Sequence, residues 1–434
     1  MTMADYARRR RALLKAIGAD GLAILPAARE QLRNRDVHYP FRQSSDFTYL
    51  TGFPEPEAVA VFAPGRKEGE FILFCRPRDP EREQWDGYRA GVEGAVATFA
   101  ADEAHPLSEL DELMPGLIDG RARLLFPIGA EAAFDARVLG WVNQVRANVR
   151  KGAVAPETFV TIEALLHEQR LFKGKSELRL MHRAARISAA GHCRLMQLCR
   201  PGRRESDLET EFLHHCAAAG ARFQAYPPIV AGGAQACVLH YVDNAATLKD
   251  GDLVLVDAGC ELDGYASDIT RTFPVNGRFS PPQRELYELV LAAQAAAIAR
   301  ARPGNRWIDP HEAALKVLTK GLIRLGILEG KPAKLIKDEA YKPYYMHRTG
   351  HWLGMDVHDV GHYKQHGEWR RLEPGMVLTV EPGLYMPATD AVPAAYRQIG
   401  IRIEDDVLIT PDGNEVLSAG APKDPDAIEA LMAG

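Results

Sequence analysis

The chain has 434 residues, and 53 lysine and arginine residues against 58 aspartate and glutamate residues leave a formal net charge of −5. A hydrophobic fraction of 46% with 26% charged residues is typical of globular proteins and excludes large-scale disorder. Most proteins that bind nucleic acids or anionic membranes carry an excess of basic residues, so the near-neutral charge of this chain argues against both functions. No apolar run approaches the roughly 20 residues of a membrane-spanning helix. At about 150 residues per domain, we expect two domains.

The N-terminal segment is basic and partly apolar, as in a signal peptide. Lys15 and Asp20 interrupt its apolar stretch, so we predict a basic surface helix instead. The six cysteines are scattered without a C-x-x-C pair, which argues against a disulfide framework or a thiolate metal site. We therefore expect a reduced, cytoplasmic protein.

Strand and helix signals alternate through the first third of the chain. A strand is predicted over residues 21–25, and a hairpin is predicted from residues 58–62 and 71–75. A further strand follows over residues 123–127, and helical spacing extends over residues 130–145. These elements indicate an α/β domain whose alternation ends near residue 150.

Helix starts are well marked in the second half. Ser206 with Glu209, and Ser280 with Gln283, fit the capping-box pattern at the start of a helix. The apolar face of the first of these helices is predicted to comprise Leu208, Phe212, Leu213 and Cys216. From about residue 251 strands dominate between helices, which predicts a mixed α+β unit whose helices cover a strongly curved sheet.

The sequence does not match several common nucleotide-binding and hydrolase motifs. Residues 174–176 end like a P-loop, but Gln169 occupies the position of its first glycine, so we predict a helix start there. His311 begins an H-E-x-x-H zinc motif that Leu315 breaks. A G-x-S-x-G elbow and a G-x-G-x-x-G segment after a strand are both missing, which excludes most elbow-type serine hydrolases and dinucleotide enzymes.

Two aspartates flank a predicted hairpin. If Asp263-Gly264 forms a two-residue turn, residues whose numbers sum to 527 lie opposite one another. Asp268 then faces position 259, two along from Asp257, and the two carboxylates become diagonal neighbours with Cα atoms roughly 7–8 Å apart. Such a pair suits metal binding; a strand-end Asp257 with a solvated Asp268 is the alternative.

Two glutamates near the C-terminus have a similar setting. Alternation places Val377, Thr379 and Glu381 on one face of a strand that ends at Pro-Gly, and Arg402 and Glu404 share a face of a later strand. A carboxylate that ends an apolar strand is a poor core residue and a candidate ligand, although each glutamate alone is more often a surface residue.

Histidines are concentrated in one short segment. Five of the 14 histidines fall within 20 residues, namely His347, His351, His358, His362 and His366. Gly350 and Gly354 argue against a regular helix there, and we expect His351 to be buried and the last two histidines to lie on the surface. Four carboxylates with one histidine form an oxygen-rich site suited to Mn²⁺, Fe²⁺ or Co²⁺.

Several motifs together resemble one enzyme family. The segments that carry the resemblance are residues 256–259, 267–273, 347–359, 373–383 and 400–405. They are similar to the pita-bread metallopeptidases, and residues 34–36, 39–47 and 49–53 resemble the N-terminal domain of the bacterial Xaa-Pro aminopeptidases (aminopeptidase P).

The resemblance implies an α+β protein with two domains. A creatinase-like α/β N-terminal domain would span residues 1–172, and a pita-bread catalytic domain would span residues 173–434. The implied activity is removal of the N-terminal residue from peptides whose second residue is proline. The implied assembly is a homotetramer, with no nucleic-acid or membrane partner.

The same resemblance implies a site with two divalent metal ions, with Mn²⁺ as the expected metal. The implied ligands are Asp257, Asp268, His351, Glu381 and Glu404. Asp268 and Glu404 would bridge the metals, Asp257 would complete one coordination sphere, and His351 with Glu381 would complete the other.

Other residues carry implied roles in catalysis and binding. The catalytic set matched to the family is Glu381, His358, His240 and His347, with Arg402 supporting the carboxylates and Trp85 near a neighbouring subunit's site. A hydroxide between the metals would attack the carbonyl before proline, Glu381 would carry its proton, and His358 would stabilise the oxyanion. The chain departs from the family in the stretch between His358 and Glu381, which is one residue longer than expected around residues 365–370.

Three related functions are alternatives to the aminopeptidase. A prolidase would use the same site with a pocket closed beyond proline, and longer peptides would discriminate. A creatinase acts without metal and lacks the ligand set, and a non-catalytic binding relative usually loses ligands. The five matched ligands argue against the creatinase and the binding relative, and the N-terminal motif that includes Gly52 and Phe53 favours the aminopeptidase over the prolidase.

Overall fold

The computed structural model describes all 434 residues and forms two compact units, Met1–Arg170 and Leu171–Gly434. No helix combines the length and apolar composition that crossing a bilayer requires. The assignment of residues 1–172 and 173–434 as functional domains stays a prediction.

The N-terminal unit is an α/β structure around one mixed sheet. Its helices are α1 (Met3–Ile17), α2 (Ser45–Thr51), α3 (Pro80–Asp86), α4 (Gly91–Ala97), α5 (Leu110–Ile118), α6 (Ala132–Ala147) and α7 (Glu163–Leu171). Its strands are β1 (Gly21–Pro26), β2 (Leu32–Asn34), β3 (Val37–His38), β4 (Val59–Phe62), β5 (Phe71–Cys75), β6 (Glu103–Pro106), β7 (Arg123–Phe126) and β8 (Thr158–Thr161). Six strands form the sheet in the order β6-β5-β4-β1-β7-β8, and β2 and β3 form a separate hairpin.

The apolar runs of the sequence form the centre of this sheet. The predicted β1, β4–β5 hairpin, β7 and α6 are all confirmed, and their buried side chains pack with α5 into one core. The prediction that the alternating strands and helices of this unit end near residue 150 is wrong. Strand β8 pairs in parallel with β7 beyond that point, because Thr158 to Thr161 continue the ladder at the sheet edge.

Helix α1 is confirmed, but its description as a surface helix is wrong for two of its arginines. Arg9 and Arg10 are only 4% and 6% exposed. Their guanidinium groups donate to the carbonyl oxygens of Tyr49 and Leu50, and Arg9 lies 3.9 Å from the centroid of the Tyr49 ring. Hydrogen bonding together with aromatic stacking offsets the cost of burying these charges.

The C-terminal unit carries six helices and thirteen strands. The helices are α8 (Lys175–Leu198), α9 (Glu205–Ala218), α10 (Pro281–Ile298), α11 (Asp309–Arg324), α12 (Pro332–Lys337) and α13 (Pro425–Ala433). The strands are β9 (Phe223–Gln224), β10 (Ile229–Gly232), β11 (Leu253–Asp257), β12 (Cys260–Leu262), β13 (Tyr265–Ala266), β14 (Thr270–Pro274), β15 (Lys364–Gln365), β16 (Glu368–Trp369), β17 (Val377–Val380), β18 (Gly383–Tyr385), β19 (Gly400–Arg402), β20 (Asp405–Thr410) and β21 (Gly413–Val416).

Short antiparallel groups make up the sheet structure of this unit. They are β10-β11-β14, β13-β12-β9, β17-β20-β21, β18-β19 and β15-β16. The Glu404 amide donates to the Thr270 carbonyl at 3.1 Å, which joins the end of β19 to β14. A large apolar core lies between these strands and the helices. The predicted α+β character of this half is confirmed.

Two of the predicted helix starts are confirmed and one is wrong. Helix α8 begins at Lys175, and Ser280 caps α10 with Gln283 reaching back to its backbone amide at 2.9 Å. Helix α9 begins at Glu205 rather than after Ser206. The fully buried Glu205 carboxylate accepts from the Gly232 and Ala246 amides, both at 2.8 Å, and these distant contacts fix the first turn.

Candidate active site

A two-residue turn sets the register of the strands that carry the two aspartates. Asp263 and Gly264 have φ angles of 49° and 80°, as a type I′ turn requires. Leu262 therefore faces Tyr265, and further along Asp257 faces Thr270. The residue numbers of both pairs add up to the predicted 527. The register prediction is confirmed.

The carboxylates of Asp257 and Asp268 converge on one tyrosine. The Tyr226 hydroxyl lies 2.6 Å from Asp257 Oδ1 and 2.5 Å from Asp268 Oδ1. Burial and these two negative charges raise the pKa of Tyr226 well above its usual value, so the hydroxyl stays protonated and can donate. The two side chains thus lie beside each other in a buried setting, and Asp268 is not a solvated edge residue.

Arg402 ties one aspartate to the neighbouring glutamate. Its Nη2 donates to Asp257 Oδ2 at 2.7 Å, and its Nε donates to the Thr270 hydroxyl at 3.2 Å. That hydroxyl donates in turn to Glu404 Oε2 at 2.7 Å. Arg402 and Glu404 are 4% and 2% exposed, so this chain of hydrogen bonds is shielded from water.

His351 is oriented with one ring nitrogen toward the carboxylates. Its Nδ1 lies 2.9 Å from the Trp352 carbonyl oxygen and therefore carries the proton, while Nε2 lies 3.3 Å from Asp268 Oδ2 and 3.8 Å from Glu381 Oε1. A backbone partner on one nitrogen is the usual way in which a metal-binding histidine is held. The segment passes close to β17, because a Cβ on Gly350 would collide with the Thr379 carbonyl.

The carboxylates repel one another strongly in this setting. Burial, offset by His351 and Arg402, raises the pKa of Glu381 to about 7. Burial and the charges of Asp268, Glu381 and Asp257 raise the pKa of Glu404 well above its usual range. Carboxylates crowded in this way are stabilised by cations bound between them.

His347 takes part in a second hydrogen-bonded chain. Arg402 Nη1 donates to the Tyr385 hydroxyl at 2.9 Å, and that hydroxyl lies 2.8 Å from His347 Nε2. His347 Nδ1 lies 2.7 Å from the Arg348 carbonyl oxygen. Because the Arg348 carbonyl can only accept, Nδ1 carries the proton of the neutral imidazole, so the Tyr385 hydroxyl donates to Nε2 while it accepts from Arg402. Burial and Arg402 lower the pKa of His347 to about 3.

One cavity of about 660 Å³ brings most of the predicted residues together. The predicted site residues in its wall are Asp257, Asp268, His351, Glu381, Glu404, His240, His347, His358 and Arg402. His358 lies with its ring centroid 4.3 Å from that of His351. Trp85 lies on α3 of the N-terminal unit and is 85% exposed, and its role at a neighbouring subunit's site stays a prediction.

Sequence reasoning missed three residues that hold the site together. Tyr226, Thr270 and Tyr385 bridge the charged groups through their hydroxyls. Thr270 lies within a motif that carries the family resemblance, but no local pattern marks the two tyrosines. The spatial partner of Tyr226 lies 31 residues along the chain, so only the folded structure shows its place.

The donor groups fit divalent metal ions. Ligand atoms of Asp268, His351 and Glu404 all lie within 4.8 Å of one another, and Asp257 and Glu381 line the same cavity. Four carboxylates with one imidazole form a hard, oxygen-rich donor set. The crowding that raises the pKa of the glutamates is the condition that bound cations relieve.

Comparison with known proteins gives the family. Residues 179–411 match metallopeptidase family M24, and residues 6–126 match the aminopeptidase P N-terminal domain. The chain belongs to metallopeptidase family M24.

Relatives of this M24 peptidase extend over its whole length. It is 44% identical to the Xaa-Pro aminopeptidase of Escherichia coli, over 99% of this chain and 97% of the relative. Its structure is similar to that of Pseudomonas aeruginosa aminopeptidase PepP, with 55% identity, a TM-score of 0.98, and 100% and 98% of the two chains covered. A Zn-substituted E. coli aminopeptidase P in complex with product gives 44% identity and a TM-score of 0.97, over 100% and 98% of the two chains.

These matches confirm the predicted family and fold. The M24 peptidase has the pita-bread catalytic domain and the aminopeptidase P N-terminal domain that the motifs indicate. It is a hydrolase of the metallopeptidase class.

Proposed function

We propose that this M24 peptidase is an Xaa-Pro aminopeptidase, which removes the first residue from peptides whose second residue is proline. The observation that carries the proposal is the single cavity in which four carboxylates and His351 converge. The full-length similarity to proteins named Xaa-Pro aminopeptidase supports the choice of substrate. The cavity wall next to the carboxylates is apolar at Pro227, Ile229, Leu239 and Val242, which suits a proline ring.

We assign Asp257, Asp268, His351, Glu381 and Glu404 as the residues that would hold two divalent metal ions. The oxygen-rich donor set supports Mn²⁺ as the physiological metal. When bound, such ions supply an activated water and Lewis-acid polarisation of the scissile carbonyl.

One glutamate and one histidine are assigned to proton transfer and to stabilisation of the developing negative charge. Glu381 lines the cavity with Oε1 3.8 Å from His351 Nε2, and we assign it to take the proton of the attacking water and deliver it to the leaving proline nitrogen. His358 lies at the cavity wall beside His351 and donates to the oxygen that becomes negative.

The remaining residues position these groups. Arg402 and Tyr226 hold Asp257 and Asp268 in place. His347 is satisfied at both nitrogens by Tyr385 and Arg348, so we assign it to the shape of the pocket rather than to proton transfer. His240 lies at the exposed rim of the cavity, where it contacts the substrate.

Assembly and location complete the proposal. We propose a homotetramer in the cytoplasm; the exposed Trp85 and Tyr88, at 85% and 72%, offer aromatic surface for another subunit. The six free thiols suit a reducing compartment. Light scattering and cell fractionation test the two statements separately.

The activity is tested on an Xaa-Pro-Xaa tripeptide and an Xaa-Pro dipeptide, with metal-stripped protein and after Mn²⁺ is restored. We expect Mn²⁺-dependent release of the first residue from the tripeptide at least as fast as from the dipeptide. Activity confined to the dipeptide would make the protein a prolidase. Inactivity with every divalent metal would contradict the enzyme assignment.

A further inference from the structure

A second cavity of about 520 Å³ adjoins the catalytic cavity. The two cavities share Arg348, Gly350 and Tyr363 in their walls, so only the segment that leads into His351 and one aromatic ring separate them. None of the five assigned metal ligands lines the second cavity. The mechanism above leaves this space unused.

Three aromatic rings give the second cavity an apolar wall. Trp307, Tyr363 and Trp369 line it, and the ring centroids of Trp307 and Tyr363 lie 4.7 Å apart. Trp369 is only half-buried, so its ring is available to a ligand. Aromatic walls of this kind bind apolar and aromatic side chains.

The charge of the second cavity is opposite to that of the catalytic cavity. Arg348, His362 and Lys364 line it, whereas no aspartate or glutamate does. Arg348 and Lys364 form no ion pair with any carboxylate, and Lys364 Nζ lies 4.6 Å from the centroid of the Trp369 ring. Exposed cations without an acidic partner next to an acidic site favour a ligand that carries a negative charge at one end.

The wall that carries Lys364 and Trp369 is a short hairpin. The two residues face each other across β15 and β16, and the turn between them contains His366 and Gly367 with φ angles of 51° and 84°. This hairpin lies in the stretch where the sequence analysis expects a departure from the family pattern. Its two-residue turn places the lysine and the tryptophan opposite each other in the cavity wall.

We propose that the second cavity binds the part of the peptide that follows the proline, with a large apolar third residue against the tryptophans and its free carboxylate at Arg348 and Lys364. The inference rests on the proposed function. An aminopeptidase that removes one residue has no further chain on the N-terminal side, so only the C-terminal part of a substrate can extend out of the catalytic cavity. The favoured substrates are then tripeptides with a bulky apolar third residue and a free C-terminus.

The test measures kcat/KM of the Mn²⁺-loaded, full-length protein on Ala-Pro-Phe, Ala-Pro-Phe-amide and Ala-Pro-Gly. We expect the free acid to exceed the amide by roughly tenfold, the size of one charge-assisted hydrogen bond. We expect Ala-Pro-Phe to exceed Ala-Pro-Gly by about three- to tenfold through aromatic packing. Added salt should reduce the first ratio and leave the second nearly unchanged.

Matched variants separate the two contributions. Arg348→Gln and Lys364→Gln should each lower the acid-to-amide ratio, and Trp369→Leu should lower the Phe-to-Gly ratio. Lys337→Gln is the control, because Lys337 is an exposed cation on α12 outside both cavities, and neither ratio should move.

The outcomes separate the inference from the proposed function. Ratios near one in the unsubstituted protein, or ratios that none of the three cavity variants changes, would overturn the inference while leaving the aminopeptidase intact. A metal-loaded protein that cleaves none of the three peptides would contradict the proposed function itself, and the inference with it.

Discussion

His192 is a buried histidine whose protonation should lower the stability of the C-terminal unit in acid. It lies on α8 and is fully buried, with Nε2 2.9 Å from the carbonyl oxygen of Ala258, the residue that follows Asp257. Its Nδ1 is buried without a hydrogen-bond partner. The imidazole is therefore neutral with its proton on Nε2, and protonating Nδ1 would place an unpaired charge in the core.

Burial lowers the pKa of His192 from its ordinary value of 6.5 to about 4. The unfolded chain then binds a proton more readily than the folded chain, so stability falls as the pH drops below about 6.5 and the loss is complete below about 4. The full loss from this one group is roughly 3 kcal/mol, and roughly 2 kcal/mol of it falls between pH 7 and pH 5.

The perturbation is His192→Gln, whose amide can still donate to Ala258 and cannot be protonated. Any packing cost is the same at both pH values, so the change in unfolding free energy from pH 7 to pH 5 should be about 2 kcal/mol smaller than in the unsubstituted protein. Urea unfolding at the two pH values measures it, and His214→Gln, at an exposed position on α9, is the control. If all three proteins lose the same stability, the buried neutral imidazole is not the source of the acid sensitivity.

Three further predictions concern the site and its support. Glu381→Gln, assayed at saturating Mn²⁺ because Glu381 is also an assigned ligand, should lower kcat by roughly 10²- to 10⁴-fold, and near-normal turnover with intact metal content would remove Glu381 from proton transfer. Arg402→Met should weaken metal binding by about 10- to 100-fold in a metal titration, because Asp257 loses its 2.7 Å partner; unchanged affinity would show that Arg402 does not orient that ligand. Lys173→Met should cost about 3–5 kcal/mol in urea unfolding, because Asp359, 2.9 Å away and equally buried, loses its cation, and a cost below 1 kcal/mol would refute the pairing as a structural element.

Local chemistry explains which parts of the fold could be predicted from the sequence. The Asp-Gly turn fixes its own backbone conformation, so the register from Asp257 to Asp268 follows from two residues. The cap of α10 is similarly local, since Ser280 and Gln283 lie within one turn. The apolar runs of β1, β4 and β5 are long enough to identify buried strands without knowledge of their partners.

Contacts between residues far apart in the sequence explain where the sequence-based predictions were wrong or incomplete. The start of α9 depends on Glu205 binding amides 27 and 41 residues further along the chain, and Arg9 is buried by a carbonyl 40 residues away. The support of Asp257 comes from Tyr226 and from Arg402, which is 145 residues distant. No local pattern encodes such pairs, so the tyrosines that connect the site were not predictable, whereas the charged residues were marked by family motifs.

The turn at Asp263 and Gly264 restricts how this protein can change by insertion and deletion. Antiparallel pairs lie on both sides of a short interruption beyond the turn, and the paired residue numbers sum to 527 throughout, from Leu262 with Tyr265 to Leu253 with Pro274. Adding or removing one residue in the turn would move Asp268 to the opposite face of its strand, away from Asp257. Divergent descendants of this chain should therefore keep the length of this turn constant even where its two residues are replaced, whereas a change of length in the hairpin at His366 and Gly367 would reshape the second cavity and leave the assigned metal ligands in place.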